Sequence, residues 1–294
     1  MSSPATGHPA SQRVLLAGCG DLNTQVGLRL HAQGHHVTAV RRSSEQRCLP
    51  FPVRQLDLAA AGAGPGSVPG TETLPEADAV VVALTADSSD AEGYTRAYRN
   101  TLHGLVSALP RAPERVIFVS STSVLGEHDG AVVTEQSVPA PQRETAQVLL
   151  AAEQDAVQLF DGAVVLRPAG IYGPGRHRTV ERVLRGDGAD HGRITNRIHR
   201  DDLVTTILAL LKAERPPRLL HAVDAEPAPL GEVLRYLAAE LGVPVPPDTG
   251  SGTPVGKSID AAALHRLLGP GGLRYPSFRE GYAPLLAAYR GCAD

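Results

Sequence analysis

Gly18 and Gly20 follow a short apolar run at 14–17, and Asp21, Leu22 and Asn23 come directly after them. Apolar residues then recur at helical spacing through Val26, Leu28 and Leu30. Strand, tight turn and helix in that order leave backbone N–H groups unpaired and point the positive end of a helix dipole at whatever lies above the turn. A pyrophosphate is the group such a turn holds, because glycine lets the backbone come close to it. A second strand at 35–40 closes a βαβ unit of about 30 residues, the length a right-handed crossover needs. The third glycine of a dinucleotide fingerprint is replaced by Asn23, and Gly27 one turn later is expected to relieve the helix–strand contact instead.

Cofactor choice is read at the end of the second strand. NAD sites place a carboxylate there, about 20 residues past the glycines, to accept from the ribose 2′-hydroxyl. Here the window holds Arg41, Arg42, Ser43 and Ser44, and the first acid is Glu45. Guanidiniums fork onto phosphate oxygens, so NADP is the expected cofactor. Glu45 folded back onto the ribose would restore NAD, and a merely solvated basic turn is the competing structural reading.

Candidate catalytic groups come from three further segments. A strand at 115–120 delivers Ser120, Ser121, Thr122 and Ser123 at its carboxyl end, the edge where parallel sheets bind ligands. Ser121 or Thr122 could hydrogen-bond a carbonyl, or could satisfy a turn. Tyr172 carries a phenol suited to proton donation, with packing beside Pro174 as the alternative. His199 titrates near neutrality, though a histidine before an acidic helix cap also serves as a structural hydrogen-bonder. Arg176, His177 and Arg178 either clamp an anionic substrate or coat a helix start. Tyr94 and Tyr98, one helical turn apart, read better as packing. No metal site is expected: His177 has no partner at ligand spacing, and Glu127, His128 and Asp129 read as a polar turn.

The elements that must position these groups alternate as strand and helix. A third strand is expected at 53–58, an Ala/Gly/Pro loop at 59–70, and a buried central strand at 79–84. One long helix is expected at 91–109, another at 142–160, and a sixth strand at 163–167. The alternation predicts a doubly wound parallel α/β sheet, a Rossmann fold. Residues 1–12 read as a mobile tail, 13–172 as the dinucleotide-binding domain, and 173–294 as a smaller, partly interleaved lid on the substrate side. In that second part, Asp201 or Asp202 is expected to cap a helix at 203–211, followed by a strand at 219–223, a helix at 230–241 and two last helical pieces.

The 294 residues carry a net charge of −3 and form no basic stripe, which argues against a nucleic-acid surface. The absence of tryptophan argues the same way. No apolar run approaches the ~20 residues that span a bilayer, and the first dozen residues lack the apolar stretch of a signal peptide. Cys19, Cys48 and Cys292 lie far apart, without a metal pair or a disulfide framework, so a cytoplasmic setting is expected.

Several segments in order resemble the extended and atypical short-chain dehydrogenase/reductases, the NAD(P)-dependent epimerase/dehydratase group. They are Gly18 to Leu22; Asp57; Asn100; Ser120 to Gly126; Arg167 to Gly175; and Ile198 to Asp202. The later segments around Gly256-Lys257 and 274–281 are similar to the tail of a bacterial subgroup of that family. The resemblance implies that Asp57 and Leu58 lie at the adenine, and that Ala83, Leu84 and Thr85 line the nicotinamide ribose and pyrophosphate. It further implies that Pro168 to Ile171 reach the carboxamide and that Ser121, or Thr122, faces the substrate. The helices at 91–109 and 142–160 would form a homodimer face.

The chain also departs from that pattern. Counting back from Glu153, the family's Tyr-x-x-x-Lys pair falls on Thr145 and Leu149, neither of which can transfer or tune a proton. Leu125 replaces the tyrosine common before Gly126. The expected activity is therefore an NADP-preferring oxidoreductase or epimerase-like reaction on a small polar metabolite, with Tyr172, His199 or water as proton donor. A non-redox isomerase, cyclase or dehydratase is the alternative, as is a dinucleotide sensor without turnover.

Overall fold

Short apolar runs become the strands of one sheet in the computed structural model, which describes residues 11–43, 48–61, 73–126, 129–250, 252 and 255–290. The strands are β1 (Arg13–Ala17), β2 (His36–Arg41), β3 (Val53–Gln55), β4 (Ala79–Val82), β5 (Arg115–Val119), β7 (Ala163–Pro168) and β11 (Leu219–Ala222). They pair in parallel in the order β11-β7-β5-β4-β1-β2-β3. All four residues of β4 are buried, as a central strand covered on both faces requires. The chain is thus a doubly wound Rossmann-like α/β protein.

Helices cover both faces. Against one lie α1 (Asp21–Ala32), α7 (Arg200–Lys212) and α9 (Ala262–Leu268), closing a core around Leu16, Val26, Ile117, Leu166 and Ile207. Against the other lie α4 (Thr101–Ala108) and α5 (Glu144–Leu159), around Leu15, Val80, Leu105, Phe118 and Leu149. A third core forms the lid, where α6 (Arg178–Arg185), α8 (Leu230–Leu241) and α10 (Phe278–Arg290) gather Val180, Val183, Leu234, Leu237, Phe278 and Leu286. Short pairings tie this part together: β8 (Gly170–Tyr172) with β10 (Arg197–His199), and β9 (Ile194–Thr195) with β12 (Ala228–Pro229). A further pairing joins β6 (Val132–Val133) to β13 (Ser258–Ile259). β11 and α7 return from the lid to the main sheet, so the two parts share one core.

Three local expectations need correction. The helix expected at 91–109 is interrupted: α3 (Ala91–Tyr94) passes into a π-helical stretch, Thr95–Asn100, before α4 resumes. The Thr95 hydroxyl donates to the Ala91 carbonyl at 2.8 Å, and the Thr101 hydroxyl to the Arg96 carbonyl at 3.5 Å. Side-chain donors thereby compete for carbonyls that a regular turn uses, which favours a wider turn. The third strand stops at Gln55, because Asp57 turns the chain and accepts from the Ala59 N–H at 3.0 Å. That bond opens the short helix α2 (Leu58–Ala61) where a loop was expected, while 62–70 lies outside the described residues.

The third correction concerns α7. It is capped by His199, not by Asp201 or Asp202: the imidazole Nδ1 accepts the Asp201 N–H at 3.2 Å. Asp202 instead turns its carboxylate to the Arg274 and Tyr275 N–H groups at 2.8 and 2.9 Å, tying α7 to the C-terminal segment.

Candidate active site

The strand order reverses between β1 and β4, the point at which open parallel sheets take ligands. A cavity of about 410 Å³ opens there. Gly18 and Gly20 line it after β1, Arg41, Arg42 and Ser43 from the end of β2, Asp57 and Leu58 after β3, and Ala83, Leu84 and Thr85 after β4. Ala97 and Thr101 line it from the interrupted helix. Tyr98 beside them packs edge-on against Phe118, and its hydroxyl donates to the Leu84 carbonyl at 3.4 Å. Burial pushes the Tyr98 phenol up to about 12, so this group braces the wall instead of titrating.

The floor of the cavity fits a diphosphate. Gly18 has φ +87°, and a Cβ there would run into the Ala83 carbonyl oxygen. Gly20 is different: among the described residues, its chain neighbours aside, no atom lies within 4 Å of where its Cβ would stand, so the space above it is open. It precedes α1 without a side-chain cap, which leaves the first-turn N–H groups available to an anion. Asp21 stands at that helix start, and its charge is offset by Arg176 and Arg200, each at 3.2 Å.

Asp21, Leu22, Asn23, Pro168 and Ile171 are not in this wall. Leu22 lies in the core beneath α1, and Pro168 ends the buried strand β7. The buried Asn23 amide donates to the Ala17, Gly18 and Val81 carbonyls at 3.3, 2.7 and 3.2 Å, which pins the ends of β1 and β4 under the turn. Gly27 meets Phe51 and Leu16 as the missing third glycine would, since a Cβ there would come within 2.8 Å of Leu16. Ser44 and Glu45 fall outside the described residues.

Ile171 lines a second cavity, of about 610 Å³, on the lid side. Tyr172, Arg176, Arg178, Arg197 and Tyr282 share that wall with it. Arg197 is 6% exposed, and its Nη1 has no hydrogen-bond partner among the described residues. Its Nη2 donates to Thr195, and its carbon centre lies 5.4 Å from the centre of the Phe278 ring. Among the described residues no carboxylate lies at ion-pair distance from it, and a buried guanidinium so placed is costly; an anion in the cavity would offset that cost. Arg176 lines this cavity while pairing with Asp21, the residue next to Gly20 of the first cavity.

The candidate catalytic groups are placed as follows. Ser121 is half-buried and its Oγ accepts the Ser123 N–H at 3.1 Å, capping a short 3-10 turn at Thr122–Leu125; Thr122 is buried. Beneath them Ser120 donates to Glu153 at 2.5 Å, and Arg167 makes a two-point contact with the same carboxylate at 2.9 and 2.6 Å. Thr145 is half-buried and Leu149 buried on α5, a helix that contains neither tyrosine nor lysine.

The Tyr172 hydroxyl donates to the Ser277 carbonyl at 3.3 Å, and burial beside Asp224 raises its pKa well above the ordinary phenol value. His199 lies between the rings of Tyr172 and Tyr275, with centroids 5.3 and 4.0 Å away. Its accepting Nδ1 puts the neutral ring's proton on Nε2. Tyr94 packs against Tyr98 with tilted rings, their centroids 5.3 Å apart. Glu127 and His128 fall outside the described residues, among which no cluster of His, Cys, Asp or Glu could hold a metal. Among the same residues no helix is long and apolar enough to cross a membrane.

Two buried groups give folding opposite pH dependences. Burial pushes the Asp224 carboxyl from 3.8 up to about 8, against the opposing pull of Arg197. Because the folded value is the higher one, its contribution to stability is full below about pH 4 and lost as pH rises through about 8. Burial lowers His199 from 6.5 to about 4, so its contribution is full above about pH 6.5 and lost as pH falls toward 4. In denaturant titrations, Asp224→Asn is expected to gain on the parent as pH rises from about 5 to 9, by on the order of 2–4 kcal/mol. A difference that does not change with pH would contradict the assignment.

The fold and the first cavity define a Rossmann-type protein with a nucleotide-sized crevice at the switch point of its sheet. No family model matches the chain. It is 30% identical over 272 residues to protein YeeZ of Escherichia coli K12, an alignment covering 88% of this chain and 94% of that one. It is 28% identical over 284 residues to a 3-diazoavenalumate denitrifying reductase of Streptomyces, covering 87% of each. A candidate NAD-dependent epimerase/dehydratase from Methylobacillus flagellatus superposes with a TM-score of 0.77 at 31% identity, covering 96% of this chain and all of that one.

Two more distant structures share the fold. MoeE5, solved with UDP-glucuronic acid and NAD, has a TM-score of 0.75 at 21% identity, covering 95% of this chain and 99% of that one. Human SDR39U1, solved with NADPH, has a TM-score of 0.74 at 17% identity, covering 94% and 99%. The chain belongs to the NAD-dependent epimerase/dehydratase-like family, within the extended short-chain dehydrogenase/reductases.

Proposed function

We propose that this protein is an NADP-preferring reductase or epimerase-like enzyme that acts on a small, anionic carbonyl metabolite. The observation that carries the reading is the pair of glycines at the sheet's switch point: Gly18 turns at positive φ against the Ala83 carbonyl, and Gly20 leaves the cradle above α1 open. Gly18 and Gly20 would hold the diphosphate, Asp57 and Leu58 the adenine, and Arg41, Arg42 and Ser43 a ribose 2′-phosphate. Ala83, Leu84 and Thr85 would flank the remaining ribose, with Pro168 to Ile171 toward the carboxamide. When bound, the nicotinamide supplies or accepts a hydride.

The substrate-side groups act through position and charge. Arg197, with Arg176 and Arg178, offers the second cavity's cationic wall to the metabolite's carboxylate or phosphate. The Ser121 and Thr122 hydroxyls, which line neither cavity, would orient the carbonyl only where a bound substrate reaches the carboxyl end of β5. Tyr172 and His199 are enclosed and already hydrogen-bonded, so they shape the pocket, and a water held at the hydroxyls passes the proton. Substrates named for relatives support an anionic class: the Streptomyces reductase acts on a diazoavenalumate, and MoeE5 holds UDP-glucuronic acid.

A panel of carbonyl acids added to the protein with NADPH tests this reading. The expected result is loss of nicotinamide absorbance in step with substrate reduction. The lack of tyrosine and lysine on α5 favours a second reading, a non-redox isomerase, cyclase or dehydratase, or a dinucleotide sensor. An epimerase-like turnover returns its hydride, so isomer formed only with the dinucleotide present also fits; product formed without any dinucleotide, or tight binding with no turnover, would establish that second reading instead. The double substitution Arg41→Ala with Arg42→Ala is expected to weaken NADP about 30-fold or more and NAD less than threefold, since charge-assisted bonds to phosphate contribute roughly 1.5–3 kcal/mol. Equal losses in a binding titration would remove the 2′-phosphate assignment.

A further inference from the structure

Arg42, at the end of β2, does not point freely into the first cavity. It makes a two-point contact with Asp87, with Nη2 2.6 Å from Oδ1 and Nη1 closing the second bond to Oδ2. Asp87 lies two residues past Thr85, on the loop that leaves β4. Strand order places β1 between β2 and β4, so the ends of those two strands stand roughly 10 Å apart. The ion pair therefore spans the ribose end of the crevice. Arg96 and Asp57 form a second, looser pair at 3.4 Å on the same rim, and Arg96 also acts on Asp87 through its charge.

We propose that Asp87 is a specificity-determining residue, which competes with the ribose 2′-phosphate for Arg42 and so sets how strongly NADP is favoured over NAD. This rests on the reading that the first cavity takes a dinucleotide. NADP must displace the Asp87 carboxylate before Arg42 can fork onto its phosphate, and it meets that carboxylate's negative charge as it does so. NAD has no group that needs Arg42 and leaves the pair closed. Asp87 is well exposed, so its replacement takes nothing from the core.

The test is titration of the full-length protein and of Asp87→Asn with NADP and with NAD at low salt. Asp87→Asn is expected to bind NADP about three- to tenfold more tightly while NAD shifts less than twofold, with the gain shrinking as salt is raised. Asp87→Glu, which keeps the carboxylate, should return the ratio toward the parent value. Dinucleotide binding with an NADP/NAD ratio that Asp87→Asn leaves unchanged overturns the inference alone. Failure of the unaltered protein to bind either dinucleotide overturns the cofactor reading and the inference with it.

Discussion

Gly20→Leu is expected to leave the protein folded and to weaken dinucleotide binding at least a hundredfold. The residue sits at φ −79°, ψ −169°, a conformation open to any side chain, and its Cβ would meet no atom of the described residues beyond its chain neighbours within 4 Å. Loss of glycine before a helix costs about 1 kcal/mol or less. The branched side chain would fill the space above the α1 N-terminus, the place a diphosphate needs. Calorimetric titration gives the affinity, and thermal melting shows that the fold survives. Gly18→Val is the contrasting variant: with φ +87° and the Ala83 carbonyl in the way, it is expected to damage the sheet edge itself.

The second large effect is on stability. Glu153→Leu is expected to cost about 3–5 kcal/mol, because it strands the Arg167 guanidinium, 3% exposed, without its carboxylate and removes the acceptor of the Ser120 hydroxyl. Adding Arg167→Met should recover most of that loss, since a matched apolar pair needs no counter-charge. Denaturant midpoints of the two proteins decide the matter; equal destabilisation of single and double variants would show that charge pairing is not what this contact supplies. Ser120 immediately precedes Ser121, so the pair also sets the base on which the candidate substrate-facing hydroxyls rest.

The sheet was legible because its strands are apolar runs separated by helical periods, and periodicity survives without tertiary knowledge. The crevice at the switch point was legible for a related reason: its lining residues sit at the carboxyl ends of those strands, a position that strand boundaries already define. Asn23 was harder, because its side chain turns inward to three carbonyls that only the crossing of β1 and β4 brings together. The α7 cap misled since His199, Asp201 and Asp202 are all capable acceptors, and Asp202 was claimed by a segment more than 70 residues later.

Pairings between distant loops left almost no local trace. Arg42 with Asp87, and Asp21 with Arg176 and Arg200, join segments whose approach the fold alone decides. One signal was present in the sequence: Arg167 closes an otherwise apolar run at 163–166, and a charge at the end of a buried strand calls for a partner such as Glu153.

Direct titration of the full chain with NADP and with NAD, beside Gly20→Leu, tests the central claim most closely. Saturable one-site binding of a dinucleotide, tighter for NADP and lost in Gly20→Leu, is the result expected from a cradle at the end of β1. No binding by the unaltered protein, or equal binding by both proteins, would contradict it.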